Sequence, residues 1–498
     1  MAQAILSGFQ GKPINVHKGL FINNQFVSAT NNHTLDTTNP ANAQRLTDVS
    51  AAQKEDVNWA VEASEAAFRE WRPTPPQTRV RLLSKLADLI ERDAVDLASL
   101  ESIDAGILYG ESLQFNVPQA VDTLRYFAGW ADKGAGQSLH IPDGLAYTQH
   151  EPLGICAAIV PWNAPLMITI WKLAPAIATG NVLIIKTPEL TPLYGQKLAA
   201  LILEAGFPPG VINILCGEGK VAGQAISEHP KIRKVAFTGS TLVGRQILRA
   251  AAETNLKRVT LELGGKGPSI VFPDADLENA LFWTALGITA NNGQICAAGS
   301  RIYVHDSIYE RFLEEFKVRM SKTAHGDPLL ATTNKGPVAS VGQHQKILGY
   351  VKKAKEAGSR LLCGGEDLDG NFVSNTAFAD VNEDDVIMKE EIFGPIAAIA
   401  KFKTESEVIT KANNSEYGLS AAIFTDNISR AHRVASAIET GQVTVNCWGN
   451  LHSNTPFGGM KQSGFGRDLG KEALDGWTNS KTVSIHLLPV ANGECAKL

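Results

Sequence analysis

Cysteine is scarce in this chain, with six in 498 residues, and none falls in a C-x-x-C pair or at regular spacing. Neither a disulfide framework nor a zinc site is expected, which fits a reducing compartment. The eleven histidines form no H-x-x-x-H or H-E-x-x-H cluster, so no metal is expected. Basic charge is not in excess either: 46 Lys and Arg against 51 Asp and Glu leave a formal net charge of -5. That balance offers no field for a polyphosphate backbone, and a nucleic-acid partner is excluded. Long apolar runs are missing as well. Stretches such as Cys156 to Pro161 and Ile396 to Phe402 fall far short of the ~20 residues that span a bilayer. Met1 to Phe21 mixes Gln, Gly, Lys, Asn and His without the apolar block of a secretory signal. The expected compartment is therefore cytoplasmic, or peroxisomal through the terminal Ala496-Lys497-Leu498, a near variant of the Ser-Lys-Leu import address.

What is present describes a globular protein of two or three domains, 44% hydrophobic and 19% charged. The first quarter reads as helices. Ser50 and Gln53 form a capping box, and Val57, Ala60, Val61, Ser64, Ala67, Phe68 and Trp71 follow at helical spacing. Beyond Pro73-Thr74-Pro75-Pro76, Val80, Leu83, Leu86 and Ile90 mark one face of a second helix. Alternation around Pro142-Asp143-Gly144 predicts a hairpin between Gln137 and Glu151. From Cys156 to Phe272, short apolar runs alternate with helical stretches: Ala157–Val160, Val182–Lys186, Val211–Leu215, Lys234–Phe237, Val259–Leu261 and Ser269–Val271. This is the pattern of βαβ units in a mostly parallel sheet with both faces covered. A second α/β region runs to about Phe457, with strands expected at Arg301–Val304, Ile396–Phe402, Ala421–Phe424 and Val443–Asn446.

Four local signals carry chemistry. Phe237 to Gly244 places a glycine turn between a strand and a helix, and a helix N-terminus suits a pyrophosphate. It is not the G-x-G-x-x-G fingerprint, and a tight turn without a ligand is an equal reading. Glu262 follows an apolar strand and precedes Gly264-Gly265. Desolvation there would raise its pKa toward that of a useful base, although a solvated strand-end Glu has the same local sequence. Cys296 lies among small residues from Asn292 to Arg301, and a thiol of pKa ~8.5 needs activation to act as a nucleophile. The other five cysteines read as small buried hydrophobes. Asn163, in Pro161-Trp162-Asn163-Ala164-Pro165, closes the first parallel strand. Ligands bind at that end of open α/β sheets, and a helix-capping Asn is the alternative.

Together these motifs resemble the NAD(P)-dependent aldehyde dehydrogenase superfamily of hydrolytic, non-acylating type, over a span from Gly19 to Lys481. Trp171 to Ala176, Lys389 to Pro395 and Pro456 to Gly464 add matching stretches. The resemblance implies an α/β fold: a parallel-sheet Rossmann-like cofactor domain of residues 1–133 and 154–263, a second α/β catalytic domain of 264–465, and a small β oligomerisation arm of 134–153 and 478–498. It implies Cys296 as nucleophile, Glu262 as the base that hydrolyses the thioester, and Asn163 as oxyanion donor. The cofactor would be NAD, favoured over NADP because Glu189 would meet a ribose phosphate with like charge. Ile159, Trp162, Lys186, Glu189, Gly219, Gly239, Ser240 and Val243 would hold adenosine and pyrophosphate. Gln343, Lys346, Glu391 and Phe393 would approach the nicotinamide ribose. Met167, Trp171, Ile295, Ala297, Trp448 and Phe457 would line a substrate tunnel without an obvious fixed charge, for a small-molecule aldehyde. The arm implies a homodimer or homotetramer. A non-catalytic NAD-binding relative and a CoA-acylating enzyme are the alternative functions.

Three departures from the family pattern stand out. Asp104-Ala105-Gly106 is followed by Ile107 where a Lys is usual, Asp468 replaces a Glu in Gly466-Arg467-Asp468-Leu469-Gly470, and Ala164 replaces a bulky residue.

Overall fold

The computed structural model describes residues 3–487; Cys495, the Ala496-Lys497-Leu498 tripeptide and the end of the expected arm lie outside the described residues. An eight-stranded sheet runs in the order Gly464–Phe465, Arg258–Glu262, Lys234–Thr238, Ile155–Ile159, Val182–Thr187, Ile212–Cys216, Leu20–Ile22 and Gln25–Val27. Its five central strands are parallel. Ile155–Ile159, Val182–Thr187, Ile212–Cys216 and Lys234–Thr238 are buried along their whole length, which is why they read as unbroken apolar runs instead of alternating ones. The helices Lys54–Trp71 and Pro76–Arg92 pack into the same core through Val57, Ala60, Val61, Leu83, Leu86 and Ile90, the faces their periodicity marks.

The expectation that the chain opens with helices is corrected by six short strands: Gln3–Ser7, Pro13–His17, Leu20–Ile22, Gln25–Val27, Thr34–Thr38 and Arg45–Ser50. Asn23 and Asn24, with φ of 53° and 59°, supply the left-handed two-residue turn that a tight hairpin requires. The helix cap also moves. Ser50 is committed to its strand, its N–H donating to Lys18 O at 2.7 Å. Gln53 caps instead, its N–H donating 2.7 Å to Asp56 Oδ2 inside the first turn.

A seven-stranded second sheet runs Arg360–Cys363, Thr376–Ala379, Ile396–Phe402, Arg301–His305, Pro268–Val271, Ser420–Phe424 and Gln442–Val445. Pro268–Val271, expected in the first sheet, pairs here with Arg301–His305 and Ser420–Phe424. The turn before it carries the chain across. A Cβ on Gly265 would lie 2.2 Å from Cys296 O, so only glycine lets the backbone pass. The predicted hairpin is present as Ser138–Ile141 and Gly144–Pro152, and Thr478–His486 pairs antiparallel along the latter from end to end. No helix among the described residues is long and apolar enough to cross a membrane.

Candidate active site

The first sheet delivers its side chains from the carboxyl ends of its strands. After Ile155–Ile159 the chain turns at Trp162 and Asn163 into the helix Pro165–Ala178. Asn163 does not cap that helix. Its Nδ2 donates 2.8 Å to Gln294 O, while Asn291 Nδ2 donates 2.8 Å to Asn163 O. An amide nitrogen carries two hydrogens, so one remains to be donated elsewhere. Glu262 ends its strand, buried, with Oε2 lacking any partner among the described residues. Burial pushes its carboxyl well above the usual range, Asp468 adds like-charge repulsion, and Lys172 and Arg467 oppose both. Lys172 and Asp468 themselves form a buried ion pair.

Cys296 comes from the other layer, just before the strand Arg301–His305. The backbone approaching it is bent at Asn291, Asn292 and Gly293, with φ of 43°, 57° and 67°, a conformation that asparagine and glycine tolerate best. Burial pushes the thiol up to about 12, with Glu391 and then Glu262 adding to the effect. At neutral pH it is therefore a protonated thiol, not a standing thiolate.

Cys296, Glu262 and Asn163 all open on one cavity of about 1180 Å³. Met167, Trp171, Ile295, Ala297, Trp448 and Phe457 are all in its wall. Trp171 and Phe457 pack with ring centroids 5.3 Å apart, and Trp448 Nε1 donates 2.9 Å to Ala297 O. The wall is not free of charge, however. Asp468, Glu111 and Lys335 belong to it, and no local sequence signal marks the last two, which come from segments more than 200 positions apart.

The residues expected around a dinucleotide form two groups outside that wall. In the first, Lys186 Nζ is 3.0 Å from Glu189 Oε2, and Gly219 N donates 3.4 Å to Glu189 Oε1. Burial would raise the Glu189 carboxyl, but Lys186 and the hydrogen bonds outweigh it and hold it low. Gly239 N donates 3.0 Å to Glu262 O, and a Cβ there would meet the Phe237 ring at 2.4 Å. Ser240 caps the helix Thr241–Glu253, its Oγ accepting from Val243 N at 3.4 Å. Ile159 is buried in the strand beside this group. In the second group, Gln343 Nε2 donates 2.6 Å to Phe393 O, and Phe393 meets Trp162 edge-on at 5.4 Å. Phe393 holds a left-handed φ of 59°, the kind of strain that gathers at functional sites. Glu391 Oε1 accepts from Gly265 N at 2.9 Å, and Lys346 is pushed down by burial while Glu391 and Glu390 hold it up.

Residues 26–483 match the model of the aldehyde dehydrogenase family. The chain belongs to the aldehyde dehydrogenase family. It is 49% identical over 473 residues to an aldehyde dehydrogenase of Davidiella tassiana, covering 94% of this chain and 95% of that one. It is 47% identical to the mitochondrial aldehyde dehydrogenase of Sus scrofa, covering 95% and 92% of the two chains. Among solved structures, the NAD+ complex of an aldehyde dehydrogenase from Bacillus cereus superposes with a TM-score of 0.93 at 43% identity, covering 95% of this chain and 97% of that one. Within the family pattern, Asp468 is shorter than the usual Glu, yet it reaches Lys172 and faces the cavity.

Proposed function

We propose that this aldehyde dehydrogenase oxidises an aldehyde to its carboxylic acid with NAD, using Cys296 as nucleophile, Glu262 as base, and the Asn163 amide with the Cys296 N–H as oxyanion donors. The observation that carries this reading is the meeting of these three side chains, brought from two sheets, on a single cavity. Attack by Cys296 Sγ on the carbonyl carbon forms a C–S bond and places negative charge on oxygen. The free hydrogen of Asn163 Nδ2 answers that charge, its partner hydrogen being held on Gln294 O. The thiol proton needs an acceptor, and a carboxyl held above the ordinary range is a stronger base than a solvated one. Glu262 takes that proton in attack, releases it to solvent, and acts again when water is activated to cleave the thioester, the step that depends on it most.

The two groups of residues outside the cavity wall fit NAD. The helix capped by Ser240 leaves the Thr241 and Leu242 N–H groups without intrahelical partners, suited to a pyrophosphate. Gly239 keeps that turn within reach, and the Glu189 carboxylate suits ribose hydroxyls rather than a phosphate. Bound NAD supplies the hydride acceptor that converts the tetrahedral adduct to a thioester. The NAD+ complex of the Bacillus cereus relative supports the same assignment.

Residues 1–133 with 154–263, 264–465, and 134–153 with 478–498 are the proposed cofactor, catalytic and assembly units. Among the described residues the outer strand Ser138–Ile141 has one edge unpaired, and Leu139, Leu145 and Ile485 are exposed nearby. Open edges invite a second copy, which supports a homodimer or homotetramer. Cytoplasmic or peroxisomal residence completes the reading. To test the chemistry, NADH absorbance is followed with NAD and a panel of aldehydes. Oxidation is expected without coenzyme A and is expected to vanish in Cys296→Ala; native turnover in that variant overturns the proposal. Silence across the panel with NAD binding intact supports a non-catalytic relative.

A further inference from the structure

Part of the cavity wall takes no part in the chemistry above. Lys335 is 3% exposed, yet its Nζ makes one hydrogen bond, 3.3 Å to Thr289 O. Glu111 shares this wall; burial pushes its carboxyl up to about 7, against the Asn291 N–H and Lys335. Burial brings Lys335 down to about 7, with Glu111 opposing.

Two amides complete the region. Asn292 Nδ2 donates to Gly336 O and Pro337 O, each at 3.0 Å, and Asn375 Nδ2 donates 3.2 Å to Met320 O. With their nitrogens committed, Asn292 Oδ1 and Asn375 Oδ1 are buried and have no partner among the described residues. Both residues line the Cys296 cavity. Lys335 N donates 3.2 Å to Ala324 O, and Asn334 Nδ2 donates 3.3 Å to Lys322 O. These bonds tie the segment beside Asn375 to the one carrying Lys335.

Both oxygens are sealed from the cavity, so the two amides brace this wall while Lys335 and Glu111 line it. A Lys335 ammonium with donors to spare and a Glu111 carboxyl in the same wall describe a site for a group that both donates and accepts hydrogen bonds. Lys335 and Glu111 compensate each other, so a carboxylate would meet Glu111 and an ammonium would meet Lys335. The nearby Arg319 is paired with Glu278, and Lys322 is exposed to solvent. At about 1180 Å³ the cavity also exceeds the ~300–1,000 Å³ of ordinary ligand pockets. A short aldehyde would leave most of it unfilled.

We propose that the substrate is an elongated, bifunctional aldehyde. Its apolar body lies along Met167, Trp171 and Phe457, and its far end carries an uncharged hydroxyl or carboxamide bound by Lys335 and Glu111. This rests on the reading of Cys296 as nucleophile.

The test compares n-alkanals with ω-hydroxyalkanals and ω-carboxyalkanals of equal chain length by kcat/KM. At the best length the ω-hydroxy compound is expected to exceed the alkanal by about tenfold, the worth of a hydrogen bond or two. Lys335→Met is expected to collapse that ratio toward one. Glu111→Gln is expected to raise the ω-carboxy compound selectively, by removing the like charge. Equal use of alkanal and ω-hydroxyalkanal at every length by the native enzyme overturns the proposal. So does an equal loss for both in Lys335→Met, or a native preference for the ω-carboxy compound. A separate arm measures calorimetric binding of the matching α,ω-diol to Cys296→Ala, with and without Lys335→Met. Diol binding that depends on Lys335, where the native enzyme oxidises no aldehyde, upholds this site and sinks the parent reading. Absence of binding, in an enzyme that oxidises alkanals, does the reverse.

Discussion

The two large sheets present opposite ends to the same site. In the eight-stranded sheet every candidate follows or ends a parallel strand: Asn163 after Ile155–Ile159, Glu189 after Val182–Thr187, Ser240 after Lys234–Thr238, and Glu262 at the close of Arg258–Glu262. In the seven-stranded sheet Cys296 precedes Arg301–His305, and Glu391 and Phe393 precede Ile396–Phe402. Carboxyl ends of one layer thus face amino ends of the other. The first layer offers strand-end polar groups and a helix N-terminus, which suit binding, proton transfer and charge stabilisation. The second offers a bent, glycine-flanked loop, which suits close approach of a nucleophile. The rule that ligands gather at carboxyl ends of parallel strands accounts for the first layer and says nothing of the second.

If the division of labour is right, losing a first-layer group should slow a step that occurs on a second-layer atom. Glu262→Gln is the sharpest case. Turnover is expected to fall roughly 10²–10⁴-fold, while an acyl adduct accumulates that intact mass spectrometry detects; unchanged steady-state turnover breaks the assignment. Next, Asn163→Ala is expected to lower kcat roughly 10²–10³-fold, with thermal midpoint and NAD affinity measured alongside. A loss confined to NAD affinity would move Asn163 out of the oxyanion role.

The acid limb of the kcat profile gives a finer test. Glu262 must be ionised to act, and its raised carboxyl means activity is lost, as pH falls, above the ordinary carboxylate range. Asp468→Asn removes a like charge and frees Lys172, so the limb should move to lower pH; an upward move contradicts the cause given. The smallest effect belongs to the cap. Ser240→Ala is expected to cost about 1 kcal/mol of stability in denaturant unfolding, with a weaker NAD complex and little change in acyl-enzyme hydrolysis.

Legibility followed locality. The central strands of the first sheet were readable to within two residues, because burial on both faces leaves unbroken apolar runs. The hairpin at Ser138–Pro152 was readable from its turn residues. The six opening strands were not, since segments of three to six residues carry too little periodicity, even though they pair mostly with one another. Pro268–Val271 was recognisable as a strand but not as a member of the second sheet. That membership depends on Gly265 slipping past Cys296 O, a contact no local pattern encodes.

The sequence by itself determined the strands of the parallel core and the helical faces that cover it, and, through separated motifs in family order, singled out Cys296, Glu262 and Asn163 as candidates. Those features are written in side-chain period and in residue type. Only tertiary structure decided that Lys172 pairs with Asp468, that the Asn163 amide is braced on Gln294, and that Glu111 and Lys335 share a cavity with Cys296. Such groups lie far apart along the chain. Their charges and hydrogen bonds acquire meaning only when packing removes the water between them.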